Sequence, residues 1–159
     1  MRTPIRTLVV DDYAPWRQFL RCTLRMHDEF EAVTECGDGP EAIQKAKELQ
    51  PDLILLDIGL PTLNGIEAAR HIREVSPGSK ILFVSQNRSP EIVEEGLKTG
   101  ADGYVVKSDA ARDLLPAIKA ALEGKRFISA SLAGHFLVAA VVTATSYLLQ
   151  GFGMIAGIR

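Results

Sequence analysis

Basic residues are not in excess in this chain of 159 residues: Lys and Arg number 18 against 20 Asp and Glu. No basic stripe appears either, so the sequence carries no electrostatic footprint for nucleic acid. Cysteine is scarce. Cys22 and Cys36 have neither metal-binding nor redox spacing, and the simplest expectation for both is a buried, reduced thiol. His27, His71 and His135 are too dispersed to form a ligand set, and are expected on helix faces or the surface. No signal-peptide pattern precedes the first strand candidate, which leads us to expect a cytoplasmic domain. The last absence is the oddest: after Arg126 no charged side chain appears until Arg159.

What the chain does have is alternation. Strand candidates are Arg6–Val10, Glu31–Cys36, Leu53–Leu56, Lys80–Val84 and Gly103–Val106, short apolar runs of the kind that read as buried parallel strands. Helical patterns lie between them. The first follows Asp12, with Pro15 near its start. The second follows Asp38, where Asp38 and Glu41 have the spacing of a capping box and Pro40 falls in the first turn. The third follows Asn64-Gly65 and stops at Ser76-Pro77-Gly78. The fourth opens at Ser89-Pro90, a cap followed by proline, and closes at Gly100. The fifth follows Ser108 and closes at Gly124, with Pro116 inside it and irregular first turns expected. Strand and helix in regular alternation predict an α/β fold, a doubly wound parallel sheet with helices on both faces.

In such a sheet the functional crevice lies at the carboxyl ends of the strands, where strand order reverses. Leu8-Val9-Val10 runs into Asp11-Asp12, and Leu53–Leu56 runs into Asp57. Ser85 and Lys107 fall just past two further strand candidates. Three carboxylates packed together repel unless a hard divalent cation such as Mg²⁺ sits between them. Asp57 can also be a nucleophile, since carboxylates form acyl-phosphate intermediates. Lys107 supplies a compact positive charge for Asp57 and then for a phosphoryl oxygen, and Ser85 a hydroxyl donor. Each residue has a plainer role when taken alone. An Asp caps a helix, Asp57 ends a turn, Ser85 is a loop hydroxyl, and Tyr104 is ordinary core on an edge strand. Trp16 reads as packing. Capping needs one oxygen, not three carboxylates.

These pieces, in this order, resemble the receiver domain of two-component response regulators. The resemblance rests on Val9-Val10-Asp11-Asp12, Leu55-Leu56-Asp57-Ile58-Gly59-Leu60-Pro61, Asn64-Gly65, Val84-Ser85, and Gly100-Ala101-Asp102-Gly103-Tyr104-Val105-Val106-Lys107, and covers residues 5–125. Gly103 to Ser108 and Gly124 to Ser129 resemble the NarL/LuxR-type subgroup, which often carries a C-terminal helix-turn-helix. The resemblance implies a CheY-like, flavodoxin-like sheet of five strands in the order 2-1-3-4-5. It implies a phosphoacceptor at Asp57, fed by a histidine kinase or phosphotransfer protein. Mg²⁺ would be held by Asp11, Asp12, Asp57 and the backbone carbonyl of Gly59. Ser85 and Lys107 would bind phosphoryl oxygens, and Tyr104 would be an aromatic switch that turns inward as Ser85 moves. Output would pass to a downstream protein across the fourth helix, fifth strand and fifth helix. Two departures stand out: Ser108 follows Lys107 where many receivers have proline, and Gln86 follows Ser85 where many have a small residue.

The sequence divides into a receiver at 1–128 and an apolar, helix-patterned tail at 129–159. Phe136–Ile158 is mostly apolar, and on a helical wheel His135, Ala139, Thr143, Ser146 and Gln150 make one narrow uncharged stripe. Three readings fit: a helix that packs on its own domain or makes a homodimer, a membrane anchor, or the remnant of an output domain. None supplies a nucleic-acid module, because the Lys and Arg that phosphate contacts require are missing. The receiver reading has two rivals. One is a Mg²⁺-dependent phosphohydrolase, which often carries a second Asp where this chain has Gly59. The other is a pseudo-receiver that binds partners without being phosphorylated.

Overall fold

The computed structural model describes residues 3–30, 32–132 and 134. Glu31, His135 and the tail Phe136–Ile158 lie outside them. Strands β1 (Arg6–Val10), β2 (Ala32–Cys36), β3 (Leu53–Leu56), β4 (Lys80–Ser85), β5 (Gly103–Val106) and β6 (Phe127–Ile128) form one sheet in the order β2-β1-β3-β4-β5-β6. All pairings are parallel. Helices α1 (Ala14–Arg25), α2 (Gly39–Leu49), α3 (Gly65–Val75), α4 (Pro90–Lys98) and α5 (Ala110–Leu122) make the crossovers. The expected order 2-1-3-4-5 is present, extended by one strand that the sequence reading left unassigned. Phe127–Ile128 is too short to show a period, and it pairs with β5 at Gly103 and Tyr104.

The strands are apolar on both faces because both are covered. Val10, Ile54, Leu56, Ile81, Phe83 and Tyr104 point into a core closed by α2, α3 and α4. Val9, Leu53, Leu55, Leu82, Val84 and Val105 point the other way, under α1 and α5. Burying a Leu or Ile completely is worth about 1.5–3 kcal/mol, and Leu8, Ile54, Leu56, Ile81 and Leu82 are all at zero exposure.

Helix starts follow local chemistry, with two corrections. Asn64 caps α3, its side-chain oxygen accepting from Glu67 N at 3.0 Å. Asp38 occupies the N-cap of α2 but makes no capping box. Its carboxylate accepts instead from Gly39 N at 2.7 Å and Thr62 N at 3.1 Å, tying α2 to the loop before α3. Ser89 likewise sits at the N-cap of α4 without a side-chain cap bond, its hydroxyl donating to Glu91. Helix α5 is preceded by a 3₁₀ turn, Lys107–Asp109, and runs through Pro116. Cys36 is buried as expected, whereas Cys22 is exposed on α1. Among the described residues no helix is long and apolar enough to cross a membrane.

Candidate functional site

Parallel strands deliver all their carboxyl ends to one rim. Order reverses between β1 and β3, whose neighbours lie on opposite sides. Asp57 N donates to Val10 O at 2.9 Å, which fixes Asp57 beside Asp11. One oxygen from each of Asp11, Asp12 and Asp57 falls within 4.8 Å of the other two. Asp11 and Asp57 are buried, while Asp12 is exposed.

The loop after β3 is held tightly. Asp57 Oδ1 accepts from Ile58 N at 2.8 Å. Ile58 O accepts from Leu60 N at 2.9 Å and Gly65 N at 2.8 Å. Gly65 lies so close that a Cβ there would overlap the backbone of Asp57 and Ile58. Glycine at this position therefore sets where Asp57 can stand.

Lys107 follows β5 and turns inward. Its Nζ is 2.5 Å from Asp11 Oδ2 and 3.3 Å from Asp57 Oδ2. The approach to Asp57 has hydrogen-bond geometry. The approach to Asp11 does not, so the buried Oδ2 has a charge neighbour but no hydrogen bond among the described residues. Burial pushes the Asp11 carboxyl above its ordinary range. Lys107 and the Tyr13 N–H oppose that push, and the negative charge of Asp57 adds to it.

Ser85 ends β4, is 3% exposed, and accepts from Asn87 N at 3.2 Å. Tyr104 donates its hydroxyl to Asn87 O at 2.6 Å, so Ser85 and Tyr104 grip the same residue of the β4–α4 loop. Tyr104 is not a half-buried edge residue. β6 covers the β5 edge, the ring is at zero exposure, and burial pushes its hydroxyl up to about 12. The output face expected across α4, β5 and α5 therefore carries the chain's own β6 along the β5 edge.

A cavity of about 500 Å³ opens above the rim, lined among others by Asp12, Asp57, Gly59, Ser85 and Lys107. Gln86 also lines it and is exposed. The donor set suits a small hard cation: three carboxylates converge, and Asp11 Oδ2 is buried without a hydrogen bond. The peptide bonds of the described residues are all trans, including the one after Lys107. Two neighbours of the site have contacts here that the sequence reading did not give them. Trp16, the only tryptophan, places its ring 5.2 Å from Lys107 Nζ. Asn87 joins Ser85 to Tyr104. Trp16 carried a usable signal, since it lies one helical turn past the rim carboxylates; the position of Asn87, two residues after Ser85, is one that the resemblance marks, but its link to Ser85 and Tyr104 runs through its backbone, which residue type does not reveal.

Fold and site together define a doubly wound α/β domain with an acidic pocket at its switch point. The chain belongs to the response regulator receiver family: the receiver-domain profile matches residues 7–119. It is 36% identical over 124 residues to the transcriptional regulatory protein DegU of Brevibacillus brevis, covering 78% of this chain and 52% of that one. It is 36% identical over 129 residues to the nitrate/nitrite response regulator NarL of Escherichia coli K12, covering 81% and 60%. The chain thus spans between half and two thirds of the length of these relatives. Among solved structures, a LuxR-family response regulator from Aurantimonas sp. SI85-9A1 is similar with a TM-score of 0.82 and 32% identity, covering 87% of this chain and 99% of that one. The response regulator domain of Thermotoga maritima CheB is similar at 0.69 and 34%, covering 76% and 97%. The NarL/LuxR-type resemblance and the CheY-like fold both hold.

Proposed function

We propose that this chain is a phosphoacceptor switch in which Asp57 takes a phosphoryl group from a phosphohistidine of a histidine kinase or phosphotransfer protein. The observation that carries the reading is Lys107 Nζ lying within 3.3 Å of both Asp11 and Asp57 at the mouth of a polar cavity. An Asp57 oxygen attacks phosphorus, the P–N bond breaks, and its electron pair stays on the imidazole nitrogen. Lys107 orients the nucleophile and then follows a phosphoryl oxygen, and Ser85 donates its hydroxyl to another. Asp11, Asp12, Asp57 and the Gly59 carbonyl are the residues that would hold Mg²⁺. When bound, the ion supplies positive charge that offsets the charge of the transferring group.

The Ser85 hydroxyl accepts from Asn87 N, the residue that Tyr104 holds through its carbonyl, and keeps its own proton to donate to a phosphoryl oxygen, so a shift of Ser85 toward that oxygen would pull on Asn87. That shared contact supports Tyr104 as the switch residue and a two-state loop as the readout. The site resides in residues 1–128 on this reading, with residues 129–132 packed against β5; signalling runs through protein–protein contacts in the cytoplasm, and the apolar tail beyond them serves as a contact segment, for instance between two copies. The test is intact mass after incubation with acetyl phosphate, with Mg²⁺ or with a chelator. An adduct that requires the metal is the expected result, and no adduct in either condition overturns the reading.

A further inference from the structure

Lys107 sits in a short turn whose two ends are tied to the same C-terminal segment. On one side, Val106 N donates to the hydroxyl of Ser129 at 3.0 Å, with both residues buried. On the other, the Ser131 hydroxyl donates to Asp109 Oδ2 at 2.6 Å. Ser129 lies beyond the residues that the receiver profile matches, 7–119.

The local hydrogen bonding explains why residue 129 needs a hydroxyl. Ser129 N donates to Tyr104 O at 3.0 Å, the last bond of the β5–β6 ladder. In a parallel ladder that ran on, Val106 N would go to the carbonyl of residue 129. The chain turns away instead, helical over Ala130–Leu132, and that carbonyl accepts from Leu132 N at 2.9 Å. The hydroxyl of the same residue takes over for Val106. Leu132 packs into the core with Tyr104 and Val106, which anchors the segment. The Ser129 hydroxyl also faces Asp113, whose carboxyl is held below its usual range first by Arg112 and further by Ser129. After Lys107 the chain has Ser108, with no proline ring to fix the backbone.

We infer that Ser129 is a positioning residue for Lys107, and that through it the C-terminal segment and the phosphoryl site are coupled. The inference rests on Asp57 being the phosphoacceptor and Lys107 its partner. Holding Val106 holds the start of the Lys107 turn, and the ammonium must reach two carboxylates at once. A contact that draws residues 129–132 off β5 loosens that turn and slows transfer. By linkage, the phosphorylated site favours one placement of the segment over the other.

The test uses the full chain, Mg²⁺ and acetyl phosphate, with the rate of adduct formation read by intact mass. Ser129→Ala is expected to lower the rate roughly tenfold at saturating Mg²⁺, where a change in metal affinity does not enter the comparison. Ser129→Thr, which keeps the hydroxyl, restores most of the rate. Ser129→Ala reacting at the parent rate overturns the inference, as does Ser129→Thr reacting no faster than a folded Ser129→Ala. A second measurement needs no variant. In the parent chain, beryllofluoride with Mg²⁺ is expected to shift the Val106 and Ser129 amide signals together. A Ser129 signal that stays fixed while Val106 moves overturns the coupling. A parent chain that takes no phosphate at all removes the Asp57 reading itself, and this inference with it.

Discussion

Lys107 pairs more closely with Asp11 than with Asp57: its Nζ is 2.5 Å from the first carboxylate and 3.3 Å from the second. The sequence pointed to Asp57 as the lysine's partner. Asp11 takes the nearer place because it is the more deeply buried of the two carboxylates, and an unpaired buried charge is costly. A cation entering the pocket would relieve Lys107 of part of this work and free it for an incoming phosphoryl oxygen.

This arrangement stores a stability cost in the metal-free protein. The carboxyl of Asp11 is raised by burial and by Asp57, so with its folded value above its unfolded one the ionised form weighs against folding at neutral pH, and stability is regained as pH falls through the folded value. Asp11→Asn should therefore stabilise the metal-free chain by about 1 kcal/mol, a rise in Tm of about 2–4 °C. The same variant should lose Mg²⁺ binding. Thermal melts with and without Mg²⁺ check both, and a lower Tm for metal-free Asp11→Asn would contradict the account.

Gly65 makes a geometric demand on the site. Its position against the Asp57 carbonyl leaves no room for a Cβ, so Gly65→Ala must push Asp57 or α3 aside. A cost of about 3 kcal/mol is expected, at the upper end for overpacking. Urea unfolding measures it, and a loss in phosphoryl uptake should accompany it.

Trp16 gives the pocket a built-in reporter. It is the only tryptophan, and Lys107 Nζ lies 5.2 Å from its ring. Beryllofluoride with Mg²⁺ should change its emission by drawing Lys107 toward the bound group. Lys107→Met should abolish most of that change. An emission that responds equally in the variant would show that Lys107 is not what the ring senses.

The cysteines divide cleanly in reactivity. Cys22 is exposed, and burial pushes the Cys36 thiol up to about 12, leaving almost no thiolate at pH 8. Native protein should take one equivalent of iodoacetamide, on Cys22, and unfolded protein two. Labelling of both at equal rates in the native state would contradict this packing.

Much of this is legible in the sequence, for physical reasons. A buried parallel strand must be apolar on both faces, so Leu53–Leu56 and Gly103–Val106 showed themselves as runs, and the polar residues that ended them marked the rim. Asn64-Gly65 marked the start of the third helix, whereas the cap bond to Glu67 N and the close approach of Gly65 to Asp57 carried no sequence signal of their own. Asp38 has the spacing to Glu41 of a capping box, but its Oδ1 is shared between the first residue of α2, Gly39 N, and a loop distant in sequence, Thr62 N, so Glu41 N is not capped. Phe127–Ile128 went unassigned because two residues carry no period, and with it went the cover over Tyr104. Cys22 was placed inside on composition alone, though α1 turns that position outward.

The central claim is that Asp57 carries the phosphoryl group, and trapping the linkage tests it most directly. Protein treated with acetyl phosphate and Mg²⁺ is reduced with borohydride, which converts an acyl phosphate to an alcohol, and the modified residue is located by peptide mass. The account predicts conversion at residue 57 and none in Asp57→Asn. Reduction at a different residue, or unmodified Asp57 in a sample that carries phosphate, would contradict it.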